Sequence, residues 1–253
     1  MATQSGGYFA IKGFTYQFDK SILEVLANQG RDVEIEQIQD IGINNYYIQV
    51  KYKETQNYAD SKIKPAIIQL IDCFIKDKTK SFALYCYFKD KSSQKAVLTE
   101  EQLDKILASA KDSYTSDDKK SFSEHFSLEF SENFAKQFTK VIAEIKSSFT
   151  LRNEEEATVY HSIFRANLLE VATRRNPRKR IINFRGLKIL VGKKEKIIFE
   201  LAYCKYLKNE RYLKYLKKEY FTFNKVNIPN KERFFVLEID IKTGEGRKQR
   251  DDQ

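Results

Sequence analysis

The chain has no tryptophan, three prolines, nine glycines, three cysteines and two histidines among its 253 residues. So little Pro and Gly excludes collagen-like and Pro-rich linker proteins. Cys73, Cys86 and Cys204 include no closely spaced pair, which argues against a zinc knuckle and against a disulfide framework. They read as buried hydrophobes of a reducing compartment. His125 and His161 stand far apart and lack a ligand pattern, which argues against His-metal nuclease and zinc-deaminase chemistry. There is no Gly-X-Ser-X-Gly elbow and no GxxxxGK phosphate loop. No run approaches the ~20 apolar residues of a membrane span. Residues 1–8 carry neither the basic flank nor the apolar core of a secretory signal. The expectation is a cytoplasmic protein with no membrane partner.

What is present is aromatic and basic. With 19 Phe, 15 Tyr and 42% hydrophobic residues, the chain can build a core without staples. Lys and Arg number 45 against 35 Asp and Glu, a net charge of +10. The excess is uneven. Residues 94–150 are mixed, whereas 174–250 carry Arg174-Arg175, Arg178-Lys179-Arg180, Lys193-Lys194, Lys217-Lys218 and Arg247-Lys248. Such runs concentrate a polyanion. Arg174, Arg175, Arg178, Lys179 and Arg180 are the preferred nucleic-acid backbone contacts, with Lys53 as a further DNA-side group. Cations at a helix C-terminus also suit the dipole, so part of this run needs no ligand.

Periodicity predicts a helix over 14–28, with Phe18, Ile22, Val25 and Leu26 on its apolar stripe. A hairpin follows, 33–43 and 46–52, with Gly42, Asn44 and Asn45 at the turn. Ile63, Ile67, Leu70, Ile71 and Phe74 mark a helix over 61–76, and 81–88 reads as a buried strand. Thr99 and Gln102 form a capping box that opens a helix to about 110. The polar stretch 111–123 reads as a mobile connection. Helices are expected over 132–148, 154–173 and 195–218, a small hairpin over 181–191 and a last strand over 234–241. The fold class is α/β, a mixed sheet flanked by helices. The domains are a core over 1–120 and a mainly helical, basic accessory region with short strands over 121–253.

The residues that carry chemistry lie between Glu24 and Lys51. Gln49 and Lys51 are two apart on one strand and share a face. Glu34, Glu36 and Asp40 share parity unless a bulge intervenes, and Ile38 hints at one. The hairpin is expected to bring Asp40 beside Gln49 and Lys51, with Glu24 on the helix that packs across the same edge. This set suits phosphodiester hydrolysis. A divalent ion takes carboxylate and amide oxygens. Asp40 would be the main ligand, Gln49 a neutral one, and Glu24 or Glu36 would complete the shell. Lys51 would orient or deprotonate the attacking water, or stabilise charge on the phosphate.

GFTYQFDKSILEVLANQG followed by VEIEQIQDIGINNYYIQVKY resembles the PD-(D/E)XK, or restriction-endonuclease-like, superfamily. More narrowly, it is similar to the N-terminal nuclease domain of anti-phage double-stranded DNA endonuclease effectors and to Mrr-type enzymes. The resemblance covers about residues 10–90. Asp40 matches the metal aspartate, Gln49-Val50-Lys51 the Glu/Gln-X-Lys triplet, and Glu24 the helical glutamate. Gly13 and Gln17 match a Gly-X-X-X-Gln start. It implies a restriction-endonuclease-like core and a Mg²⁺- or Mn²⁺-dependent endonuclease on double-stranded DNA in anti-phage defence. It also implies a homodimer or a defence-system partner protein. Two departures stand out: Gln39 replaces a proline before Asp40, and Gln49 replaces the more frequent glutamate. They motivate the alternative, a catalytically silent nuclease-fold protein that binds nucleic acid or a partner protein within a defence complex.

Overall fold

The computed structural model describes residues 6–192 together with 220–222 and 238–240. The chain divides into two compact units, 1–188 and 189–253. In the first, α1 (Gly6–Ala27) leads into β1 (Val33–Ile35), β2 (Ile41–Ile43) and β3 (Tyr46–Lys53), an antiparallel meander. Asn44 closes the two-residue β2–β3 turn at φ 54°, a conformation that asparagine tolerates. A Cβ at Gly42 would come within 2.9 Å of the Tyr47 ring, so glycine lets the two strands lie close.

After β3 the chain crosses through α2 (Asp60–Lys76) to β4 (Ser81–Phe88), which runs parallel to β3. Ile63, Ile67, Leu70, Ile71 and Phe74 are fully buried along one stripe of α2. Removing such side chains from water stabilises by ~1.5–3 kcal/mol each. The sheet then grows outward. β6 (Phe126–Phe130) pairs parallel to β4, and β5 (Gln94–Ala96) pairs antiparallel to β6. At the other edge β7 (Ile181–Ile182) pairs with β1. The order is β5-β6-β4-β3-β2-β1-β7.

Helices cover both faces. On one side α2, α3 (Glu100–Leu107) and α4 (Ser116–Glu124) pack on Tyr47, Phe82, Leu84, Cys86, Phe126 and Leu128. On the other, α1 packs with α5 (Phe134–Phe149) and α6 (Glu154–Ala172). Tyr16 there stacks near Tyr52 and Tyr85, and its hydroxyl bonds Ser131 at 2.8 Å. Asp19, fully buried on α1, accepts from His161 at 2.7 Å and from two nitrogens of Arg165 at 2.8 and 2.6 Å. This ion cluster fixes α6 against α1, so His161 has a structural partner. The architecture is α/β, a mixed sheet between two helical layers.

Several expectations change. The boundary near 120 falls inside the first unit, because β6 inserts between β4 and β5 while α5 and α6 cover α1. Residues 111–123 are ordered: α4 buries Phe122 completely, and Lys119 bonds Asp104 at 2.7 Å. One well-packed aromatic outweighs the polar composition. The first helix starts at Gly6 and runs through Gly13. The single strand over 33–43 is two short strands interrupted at 36–40, and the 181–191 hairpin is β7 followed by helical residues 184–192. The helix over 195–218 and the runs Lys193-Lys194, Lys217-Lys218 and Arg247-Lys248 lie outside the described residues. In the second unit β8 (Tyr220–Thr222) pairs antiparallel with β9 (Glu238–Asp240), which falls within the strand expected over 234–241.

Candidate active site at the β2–β3 fork

β2 and β3 pair only from Ile43 and Tyr46 to Ile41 and Ile48. Beyond that point the preceding chain turns away, and the edge of β3 lacks a strand partner for Val50. The Asp40 side chain supplies what the ladder lacks: its Oδ2 accepts the Val50 N–H at 2.6 Å. A carboxylate is therefore fixed beside the second half of β3 by a charge-assisted bond to the backbone.

The turn over 36–40 is held from three sides. Glu36 sits at φ 51°, an uncommon conformation for a glutamate. Gln17, buried on α1, donates its side-chain amide to the Glu36 carboxylate. Arg180 Nη1 donates to the Glu36 carbonyl at 2.7 Å, and the Arg180 carbonyl accepts from the Ile35 N–H at 2.9 Å and from Gln37 Nε2 at 3.2 Å. The Gly-X-X-X-Gln segment thus touches the site through Gln17.

Gln49 lies opposite Asp40 if the register is continued by one step, and it is 5% exposed. Its Nε2 donates to Gln69 Oε1 on α2 at 3.3 Å. Its Oε1 is buried and has no hydrogen-bond partner among the described residues. Lys51 follows on the same face, partly exposed, and forms no salt bridge among the described residues. Burial pushes the Asp40 carboxyl up to about 6; the Val50 N–H opposes this, the Glu36 charge adds to it and the Lys51 charge counters it. Glu36 and Lys51 are thus both close enough to act on Asp40.

The fork brings together Asp40, Gln49, Lys51 and Glu36 but not Glu24. Glu24 bonds Lys20 at 2.6 Å and accepts from Asn28 at 3.3 Å. It lines a separate polar cleft of about 460 Å³ with Tyr85, Glu129 and Lys136. The reason is helical rise: Gln17 is the α1 residue at the fork, and seven residues further the helix has advanced ~10 Å. Glu34 faces Gly42 across the β1–β2 pair, away from the turn. Lys53 ends β3 two residues past Lys51.

The basic run lies at the β1 edge, directly behind the 36–40 turn, because β7 pairs there. Its members differ in what they do. Arg180 is a structural brace on Glu36, and its Nε also bonds the Arg174 carbonyl at 2.9 Å. Arg174 donates to the Lys179 carbonyl at 2.8 Å. Arg175, Arg178 and Lys179 are exposed. Sequence reasoning missed the brace of Arg180 and the contact of Gln69, since both depend on which elements become neighbours. The one signal for Gln69 was a polar residue four before Cys73 on α2, on the helix face that meets Gln39.

Among the described residues no group of three or more His, Cys, Asp and Glu side chains is arranged to hold a metal ion. The fork offers a different set: one carboxylate of Asp40, the orphaned amide oxygen of Gln49, and Glu36 bonded to Gln17. All are oxygens, which suits a hard divalent cation that keeps several waters. A buried oxygen without a partner is costly, and a cation or its water would satisfy it. No family model matches the chain, and neither a curated protein nor a solved structure matches it.

Proposed function

We propose that the chain is a metal-dependent endonuclease with a restriction-endonuclease-like core that hydrolyses phosphodiester bonds of double-stranded DNA. The observation that carries this is the fork: Asp40 clamped on Val50 N–H, with the unpartnered Gln49 Oε1 and Lys51 following along the same strand. The mixed sheet, with Asp40 just before β2 and the Gln-X-Lys triplet on neighbouring β3, supports the same reading. The anti-phage role rests on the sequence resemblance alone, as does a homodimer or a defence-system partner protein.

In this reading Asp40 and Gln49 hold Mg²⁺ or Mn²⁺, which when bound lowers the pKa of a water and polarises the phosphate. Lys51 contributes positive charge where the phosphate oxygens gain negative charge in the transition state. Gln17 and Arg180 keep the turn in place so that Asp40 meets the strand at the same position in every molecule. Exposed Arg175, Arg178 and Lys179 supply phosphate-backbone contacts beside the fork.

The test is cleavage of supercoiled and linear double-stranded DNA with Mg²⁺, Mn²⁺ or EDTA. Wild-type protein is expected to cut only with metal. Asp40→Asn and Lys51→Ala are expected to lose about 100-fold or more in rate, with DNA affinity kept. Metal-dependent cutting that survives both substitutions would overturn this site. DNA binding with no cutting under either metal would favour the alternative, a silent binding subunit. The neutral Gln49, where a glutamate is more frequent, weighs toward that alternative.

A further inference from the structure

Behind the fork three glutamines and a cysteine form one directional chain. Gln39 Nε2 donates to Cys73 Sγ at 3.6 Å, Gln69 Nε2 to Gln39 Oε1 at 3.4 Å, and Gln49 Nε2 to Gln69 Oε1 at 3.3 Å. Each amide uses its nitrogen toward the next member and presents its oxygen to the one before. The polarity runs through to the end, where the oxygen of Gln49 is left over. An amide has two chemically opposite ends, an acceptor and a double donor. An unconstrained glutamine would offer either end to whatever occupies the fork. An NH₂ group there would repel a cation, whereas the oxygen can ligate one.

Gln39 and Gln49 are both 5% exposed, whereas Gln69 lies on the open side of α2. Gln69 is therefore the one member that links two buried amides while itself remaining accessible. From this geometry we infer that Gln69 is a positioning residue: by accepting the Gln49 N–H it turns the Gln49 oxygen toward the fork and so sets the affinity for a divalent cation. This rests on the reading of the fork as a metal site. It adds a residue from α2, outside the Asp40 to Lys51 segment, and gives a neutral glutamine a defined way to serve where a carboxylate would need no orientation.

The experiment measures Mn²⁺ binding by electron paramagnetic resonance on the full chain, without DNA, so that it does not depend on turnover. Wild type against Asp40→Asn tests the fork itself. Gln69→Met removes the acceptor, and Gln69→Glu keeps one. Each is made in the wild-type and in the Gln49→Met background, where the orientation of residue 49 no longer matters but any direct charge effect of residue 69 persists. Gln69→Met is expected to weaken Mn²⁺ about tenfold in the wild-type background. In the Gln49→Met background the same change should shift affinity by less than about twofold, and Gln69→Glu should restore tight binding only where Gln49 is present. Equal effects of Gln69→Met in both backgrounds, or none in either, would overturn the inference while leaving the fork intact. Wild-type binding no tighter than that of Asp40→Asn would overturn the fork reading and the inference with it.

Discussion

The Asp40→Asn substitution should make the metal-free protein more stable while removing its proposed activity. Burial, reinforced by the charge of Glu36, raises the Asp40 carboxyl from 3.8 to about 6. A folded-state value above the unfolded one means that ionisation opposes folding. The opposition is absent below about pH 3.8, grows as pH rises through the window to about 6, and is complete above it. Such a displacement amounts to roughly 3 kcal/mol at neutral pH, as an upper figure. Asparagine keeps an oxygen that can accept from Val50 N–H and carries no charge to bury. In EDTA at pH 7.5, Asp40→Asn should therefore gain about 2–3 kcal/mol in urea unfolding, or roughly 5–10 °C in Tm. At pH 4 the gain should fall well under about 1 kcal/mol. Saturating Mg²⁺ should raise the wild type and leave the variant unmoved, because a ligand that binds only the folded state stabilises it by mass action. A variant no more stable than wild type at pH 7.5, or a gain that is the same at pH 4, would refute the presence of a buried, ionised carboxylate at the fork.

Three further outcomes follow from the packing. Glu24→Gln should leave metal-dependent cleavage within about twofold, measured as initial rate, because Glu24 lies in another cleft; the resemblance alone would have it essential. Phe122→Ala should destabilise the first unit by about 3–5 kcal/mol in urea unfolding, since α4 is anchored through that ring. The combined Arg175→Ala, Arg178→Ala and Lys179→Ala change should weaken DNA affinity alike across sequences. It should also lower the salt slope by about three contacts in titrations at several salt concentrations.

The strongest periodicities carried over to the structure. The α2 stripe from Ile63 to Phe74, the Thr99–Gln102 capping box and the shared face of Gln49 and Lys51 are local patterns, and each is present. What failed was non-local. Which turn of α1 meets the fork depends on how the helix lies along β3, and no spacing within α1 distinguishes Gln17 from Glu24. The Glu36–Asp40 turn interrupts a segment that reads as one strand, because Glu36 adopts a left-handed conformation supported by Gln17 and Arg180, 19 residues before it and 144 after. β6 is five residues long, and its apolar Phe126, Leu128 and Phe130 become a strand only by joining β4. Composition offers Arg180 as a DNA contact or a helix-end cation, yet it is committed to the turn; a guanidinium on a backbone carbonyl leaves no mark in composition.

The most direct test of the fork is the anomalous signal from crystals of the wild-type protein soaked in Mn²⁺. A cation site at the fork predicts a peak within about 2.5 Å of both an Asp40 carboxylate oxygen and Gln49 Oε1, absent in Asp40→Asn. A peak in the cleft of Glu24 and Glu129, or none at the fork in a protein that cuts DNA with Mn²⁺, would contradict it.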